Sequence, residues 1–417
     1  ELVSINFTRK EFFYSIIMSK YLLKENHDKG ISIGVVGGGQ LAQMLVQAAK
    51  KRGIEISVQT TSNNDPAAKY ANKVILYGPE SIEGTAVLAK SCNLITFENE
   101  WVNIDSLSSL ENEGVQFLPS LDSISFLVDK ISQRNLLKKL DIPVSEWQTL
   151  PKNAINDFLK PLDWDFPLMA KRSKGGYDGK GTKVIRSNKE LIDFLNLIED
   201  SDWFFEKWVN YEKELSLVLT RDLEGNIRSF PLVETHQSNQ VCDWVIAPAD
   251  VSHPVEIMAY NLASSLLIEL NYVGVLTIEF FYGEDGLIIN EIAPRTHNSA
   301  HFSIEACSSS QFDQQVCITS GRSVPSIEMN VPGALMINLL GFHGSSENSI
   351  EKRLLQIRDL DGAHVHWYEK GQVNNGRKLG HVTFLLDSQN PSSRREEAMA
   401  LINKVRSIWP KYVAKVV

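Results

Sequence analysis

The sequence predicts a doubly wound α/β domain, then an α+β domain, then a small β-rich unit. Three observations support this. From Ile31 to about Pro119, apolar strands alternate with helical segments, the pattern of a parallel sheet covered on both faces. From Ser120 short strands follow one another as antiparallel neighbours, interrupted by longer helices. At 417 residues with 43% hydrophobic content, the chain has material for two or three cores.

Residues 1 to 30 carry an apolar patch around Phe12 to Met18, but also acids and no small-residue cleavage site, so a signal peptide fits poorly. They read as a partly disordered leader, with a targeting segment as the alternative. The first domain, 31–119, opens with the strand and glycine turn "ISIGVVGGG". The helix "QLAQMLVQAAKKRG" follows, closed by Gly53 where a C-cap belongs. Strands "IEISVQ", "KVILYG", "NLITFE" and "VQFL" alternate with the helices "GTAVLAKS" and "NIDSLSSLENEG". The second domain, 120–321, begins with a helical pair through Leu140. The strands "SEWQTL", "FPLMAK", "TKVIR", "WFFEKWV", "ELSLVLTRD" and "NIRSFPLVE" come next. A helix from Pro254 to Leu270, a hairpin, and a helix near Phe302 to Gly321 complete it. The third unit, 322–417, holds "VPGALMINLLG", "AHVHWYEKG", "GRKLGHVTFLL" and a helix near Arg394 to Ile408.

Charge and cysteine usage narrow the function. With 51 acids against 42 bases the net charge is -9, which argues against a broad nucleic-acid footprint and confines cationic sites to local islands. No run reaches the roughly 18 apolar residues a membrane-spanning helix needs. Cys92, Cys242, Cys307 and Cys317 lack metal-ligand spacing and suit buried thiols in a reducing, cytosolic compartment.

One cationic island is "KRSKGGYDGKGT", Lys171 to Thr182, with four glycines and three lysines. Its glycines let backbone N–H groups approach a polyphosphate, and Lys171, Lys174 and Lys180 offset the charge; an exposed hairpin tip is the plainer alternative. The "GGGQLA" turn opens a helix whose free N–H groups suit an anion. A dinucleotide would want an acid at the end of the second strand, and "VQTTSNN" is neutral there. A phosphate or small-ligand contact, or a plain tight turn, therefore fits better than NAD.

The hairpin "VLTIEFFYGEDGLIINEIAPR" makes the strongest physical argument. A three-residue loop, Glu284-Asp285-Gly286, pairs Gly283 with Leu287 and sets Glu279 opposite Glu291. Like charges across an apolar ladder call for a cation between them, and Mg2+ suits hard oxygen ligands together with substrate phosphates. Relief of that repulsion predicts that Glu291→Gln abolishes turnover with little loss of folding. Glu206, Lys207, Trp208 and Val209 end an apolar strand, where backbone groups can meet a base edge; Glu214 follows. After Glu291, "APRTHNSAH" gathers Arg295, His297, Asn298 and His301, a cluster suited to holding a small oxyanion.

Taken in order, "GGGQL", "FENEWV", "GGYDGKG", "EKWV", "NEIAPRTHNSAH" and "GRKLGH" resemble the ATP-grasp superfamily and, within it, the N5-carboxyaminoimidazole ribonucleotide synthetases. The resemblance covers about Ile31 to beyond Leu386. It implies an ATP-grasp fold with a pre-ATP-grasp first domain, homodimeric, using ATP, Mg2+ and bicarbonate to carboxylate 5-aminoimidazole ribonucleotide through carboxyphosphate. Lys130, Lys171, Gly176, Tyr177, Asp178, Gly179, Lys180, Gly181, Thr182, Glu206, Lys207, Trp208, Val209, Glu214, His236, Asn290 and Glu291 are implied nucleotide contacts. Glu279 and Glu291 are the implied metal ligands. Gly39, Gln40, Leu41, Glu98, Glu100, Tyr177, Asp178, Lys180, Arg377 and Lys378 are implied on the ribonucleotide side, and Arg295, His297, Asn298 and Lys378 in the catalytic set. Thr296 and Ala300 stand where the family usually has proline and glycine, and Lys130 where it often has arginine. A formate-dependent glycinamide ribonucleotide transformylase, a biotin-carboxylase-like ligase and a non-catalytic nucleotide-binding regulator are the alternative readings.

Overall fold

The computed structural model describes residues 31–150, 164–175, 181–198, 202–342, 344, 347–371 and 373–412. Strands β1 (Ser32–Val36), β2 (Glu55–Thr60), β3 (Lys73–Leu76) and β4 (Leu94–Phe97) form a parallel sheet in the order β3-β2-β1-β4. Phe117 extends it only through an isolated parallel bridge to Ile95, so "VQFL" does not form a full strand. Helix α1 (Gln40–Lys51) covers one face; α2 (Ile82–Ala89) and α3 (Ile104–Asn112) cover the other. The sheet is therefore doubly wound, as its continuous apolar strands require.

Helices α4 (Leu121–Ser125) and α5 (Lys130–Lys139) lead into a four-stranded antiparallel sheet. It consists of β5 (Trp147–Thr149), β6 (Leu168–Arg172), β7 (Thr182–Ile185) and β8 (Trp203–Lys207), in the order β5-β8-β6-β7. Helix α6 (Asn188–Leu197) presses Leu191, Phe194 and Leu195 onto Leu168, Ala170 and Phe205 to make this sheet's own core.

The remaining strands build one nine-stranded antiparallel sheet. Its members are β9 (Lys213–Arg221), β10 (Ile227–Ser229), β11 (Val233–Ser238), β12 (Val241–Ala247), β13 (Gly274–Gly283), β14 (Gly286–Ala293), β15 (Gly333–Leu340), β16 (His364–Trp367) and β17 (Lys378–Leu386). The order is β14-β13-β9-β11-β12-β15-β17-β16, with β10 on β9. Pairing of β12 with β15 carries the sheet across residue 321, so strands of the third unit extend the core sheet. "NIRSFPLVE" is broken after Ser229, where Pro231 offers no N–H to a ladder.

Helix α7 (His253–Glu269) packs on this sheet. The helix expected from Phe302 to Gly321 is two, α8 (Ser303–Ala306) and α9 (Gln311–Thr319). Ser310 and Asp313 cap α9 reciprocally. Helix α10 (Glu347–Arg358), absent from the sequence reading, and α11 (Pro391–Ile408) cover the β15–β17 end. Val36 and Phe97 of the parallel sheet share one apolar cluster with Leu217 and Ile278 of the core sheet. Arg295, just past β14, bonds Glu100, just past β4, so the first-domain loop meets the end of the β13–β14 hairpin.

Candidate active site

The hairpin reaches the expected facing of acids by a different register. Its turn has two residues, Glu284 and Asp285, so Gly283 pairs with Gly286, which sits at φ +80. A bulge supplies the missing residue: Phe280 pairs with Ile289, yet Glu279 pairs with Glu291, and Asn290 is the extra residue. The bulge turns both polar groups of Asn290 to use. Its carbonyl accepts from an Arg134 terminal nitrogen at 2.6 Å, and its Oδ1 accepts from Lys171 Nζ at 3.0 Å.

Glu206 completes this group from β8. Its two oxygens meet Arg134 Nε and Lys171 Nζ, each at 2.5 Å. Burial alone would raise the Glu206 pKa, but Arg134 and Lys171 outweigh it and bring the carboxyl down to about 2. Burial pushes the Lys171 amine downward, with Glu206 opposing. Helix α5 is anchored beside them. Asp129 caps it through Ser132 N–H at 2.8 Å and accepts from Ser173 Oγ at 2.6 Å, while Lys130 N–H donates to Ser173 O at 2.9 Å.

Lys130 Nζ lies 2.5 Å from Glu291 Oε1. The paired carboxylates consequently differ. Burial, then Glu291, then Glu214 push Glu279 up to about 7. Burial also acts on Glu291, but Lys130 prevails and holds it below the usual carboxylate range. About a quarter of the Glu279 side chain and a third of Glu291 remain open to the cleft. His297 Nδ1 lies 3.0 Å from Ser299 Oγ and 3.3 Å from Ser299 N, and its Nε2 lies 3.6 Å from Glu279 Oε1. Lys378, at the start of β17, also acts electrostatically on Glu279.

The first domain contributes Glu98 and Glu100, just beyond β4. Glu98 accepts the N–H groups of Gly39 and Leu41, so an internal carboxylate meets the N-terminus of α1. A Cβ on Gly39 would stand 2.3 Å from Glu98 Oε1, and one on Gly37 (φ +118) 2.6 Å from Glu98; side chains there would displace the acid. Burial raises the Glu98 pKa against the pull of Arg295 and Lys370. Arg295 grips both oxygens of Glu100 through Nε and a terminal nitrogen. Burial would lower the Arg295 pKa; Glu100 overrides it and raises it.

Other expected residues have partners of their own, and Glu214 also acts on Glu279. His236 stacks on Trp244 at 4.9 Å, and its charged neighbours are Asp243, Lys411, Glu234 and Arg395, a different set from those around Lys171. The amide of Asn298 is paired reciprocally with Asn338, at 2.9 and 2.7 Å. Lys207 bonds Glu146 at 2.7 Å, Trp208 is exposed next to it, and Val209 follows. Glu214 accepts from Tyr211 Oη at 2.6 Å. Gly181 accepts the Arg172 N–H at its carbonyl, and Thr182 Oγ1 donates to Gln240 Oε1 at 2.7 Å, linking the small sheet to the β11–β12 turn. Arg377 precedes β17 and its carbonyl accepts Gly341 N–H at 2.9 Å. Gly176 to Lys180 lie outside the described residues. Arg134 was missed from the sequence; its signal is the four-residue spacing from Lys130, which puts both on one helix face.

Three family models match in order along the chain. They are a ribonucleotide synthetase preATP-grasp domain (31–127), an ATP-grasp domain (135–312) and a phosphoribosylaminoimidazole carboxylase C-terminal domain (334–395). The N5-carboxyaminoimidazole ribonucleotide synthase of Synechococcus elongatus is 41% identical over 379 residues, covering 91% of this chain and 95% of the relative. The Synechocystis protein of that name is 40% identical over 391 residues, covering 91% and 98%. An ADP complex of the Staphylococcus aureus synthetase superposes with a TM-score of 0.80 at 32% identity, covering 89% and 97%. An Aspergillus clavatus structure, a complex with ADP and 5-aminoimidazole ribonucleotide, gives 0.81 at 28%, covering 90% and 99%. The ordered domains, the extent of the identity and the carboxylate hairpin agree: the chain belongs to the N5-carboxyaminoimidazole ribonucleotide synthase family of ATP-grasp ligases.

Proposed function

We propose that the chain uses ATP and bicarbonate to carboxylate 5-aminoimidazole ribonucleotide on its exocyclic amine, a step of purine biosynthesis. The observation that carries this reading is the Glu279–Glu291 pair, set between Lys171 and Glu206 on one side and His297 and Arg295 on the other. A bicarbonate oxygen takes the γ-phosphoryl group as the bond to ADP breaks, giving carboxyphosphate. The amine nitrogen then bonds to the carboxyl carbon, phosphate leaves, and the nitrogen sheds a proton.

Lys171 and Lys130 suit the polyphosphate as point charges, and the bulged Asn290 lies between them. Arg295, held by Glu100, and His297, beside Glu279, suit a small oxyanion. Glu98 and Glu100, with the "GGGQL" turn, suit the ribonucleotide; Arg377 and Lys378 approach from β17. Glu279 and Glu291 fit Mg2+: they oppose each other, one is strained by the other's charge, and both keep access to the cleft. Among the described residues no third His, Cys, Asp or Glu completes a protein cage, which suits an ion whose other ligands are waters and phosphates. Bound there, Mg2+ would offset charge on the transferring phosphoryl group.

A homodimer and a cytosolic location complete the proposal. All four cysteines are free, which supports a reducing compartment, and light scattering on the purified chain tests the dimer. No helix among the described residues is long and apolar enough to cross a membrane.

The deciding experiment follows ADP release with Mg2+, ATP and bicarbonate, with and without 5-aminoimidazole ribonucleotide. Strong stimulation with matching consumption of the ribonucleotide is expected. Nucleotide binding without stimulation moves the chain to another ligase or a regulator. Gly39→Ala sharpens the test. Its backbone, at φ -76, accepts a side chain, so the damage is confined to Glu98. Its KM for the ribonucleotide should rise about tenfold, a loss of about 1.4 kcal/mol, with the KM for ATP unchanged. Equal changes in both would remove Glu98 from the ribonucleotide side.

A further inference from the structure

Arg134 is one of the most deeply buried charges among the described residues, with 1% of its side chain exposed. Nothing in the reaction above uses it. Its guanidinium nevertheless organises both acceptors of Lys171. Lys171 Nζ bonds one oxygen of Glu206 and the Oδ1 of Asn290; Arg134 bonds the other oxygen of Glu206 and the carbonyl of the same Asn290. The four residues close a ring joining α5, two strands of the small sheet and the bulge of β14. Two neighbouring nitrogens of one planar fork make the two Arg134 contacts, which an ammonium cannot reproduce.

We propose that Arg134 is a positioning residue for the nucleotide, aiming the Lys171 amine by fixing Glu206 and Asn290. Arg134 also stays on Glu206 when Lys171 turns toward a phosphate, so the carboxylate is not left buried without a cation. The proposal rests on the reading of this cleft as the ATP site. It differs from a purely structural role in one respect: the effect of Arg134 on nucleotide affinity must pass through Lys171.

The test is calorimetric binding of ADP with Mg2+ to the full chain and to Arg134→Gln, Arg134→Lys, Lys171→Met and the Arg134→Lys/Lys171→Met double variant. KM values for ATP and the ribonucleotide are measured alongside. Arg134→Gln should weaken ADP about tenfold or more, with the ribonucleotide KM changed less than about twofold. Arg134→Lys should fall between it and wild type, because the charge remains and the fork is lost. In the Lys171→Met background Arg134→Lys should change ADP affinity no further. Additive losses in the double variant, or wild-type ADP affinity in a folded Arg134→Gln, would overturn the proposal. If Arg134→Gln does not fold, Arg134→Lys and the cycle decide alone, and unchanged affinity in Arg134→Lys is the overturning result. Wild-type chain that binds no ADP would instead overturn the nucleotide reading, and this proposal with it.

Discussion

Glu279→Gln should lose ATP turnover by on the order of 100- to 1,000-fold, and at pH 8 without magnesium it should also be more stable than the wild type. The two effects share one cause. Glu279 is pushed up to about 7 by burial, by Glu291 and by Glu214, so its ionised form is disfavoured in the fold relative to the unfolded chain. The sign follows. No penalty exists below the unfolded value near 4.5; it grows as pH rises toward 7 and is complete above. A neutral amide removes it, by up to about 3 kcal/mol, so the gain in stability should be present at pH 8 and vanish near pH 4.5. Mg2+ with ATP should cancel the gain, since a cation between the acids restores what the amide replaced. Urea unfolding at the two pH values, with turnover measured in parallel, checks this. A Glu279→Gln chain less stable than wild type at pH 8 would sink the account of a frustrated pair. The sequence had placed this behaviour on Glu291, but Lys130 already compensates that residue. Glu291→Gln should therefore also stop turnover, while gaining no stability because Lys130 loses its partner.

That shift of role marks the line between what the sequence discloses and what it does not. Facing acids were legible because apolar residues flank them on both strands and Gly286 takes the left-handed turn position. The bulge was not, because "LIINEI" contains no residue that declares an unpaired backbone; a loop one residue longer gives the same pairing of Glu279 with Glu291. The start of α9 was legible in principle, since Ser310 and Asp313 carry a capping spacing, but the preceding apolar "FSIEAC" reads as continuous with it. Helix α10 had no such advantage: its sequence is polar and weakly periodic, and the β15–β17 core supplies its reason to fold. Asn298 shows the limit most plainly. Its amide partner, Asn338, is forty residues away on β15, and no local pattern predicts that pairing. Long-range side-chain pairs decide much of the site, and they belong to the tertiary fold.

Glu206→Gln should be the most destabilising single change in the cleft, costing about 3–5 kcal/mol at neutral pH. Glu206 is 3% exposed and is the only carboxylate among the described residues that bonds both Arg134 and Lys171. An amide of the same shape keeps the volume but leaves two buried cations facing each other. Arg134 cannot shed its proton, and Lys171 would have to lose its own, which removes the amine's charge from the proposed phosphate site. The pH dependence identifies the mechanism. Glu206 is depressed to about 2, so its contribution is complete above the unfolded value near 4.5 and is lost as pH falls through 2. The stability gap between wild type and Glu206→Gln should accordingly be widest above pH 5 and narrow steadily toward pH 2. Lys171→Met makes the control, because it leaves Glu206 paired with Arg134; it should destabilise less than Glu206→Gln while weakening ADP at least as much. If Glu206→Gln matched wild-type stability at pH 7, the four-residue ring would not hold the small sheet to the hairpin. The placement of Lys171 would then need another cause.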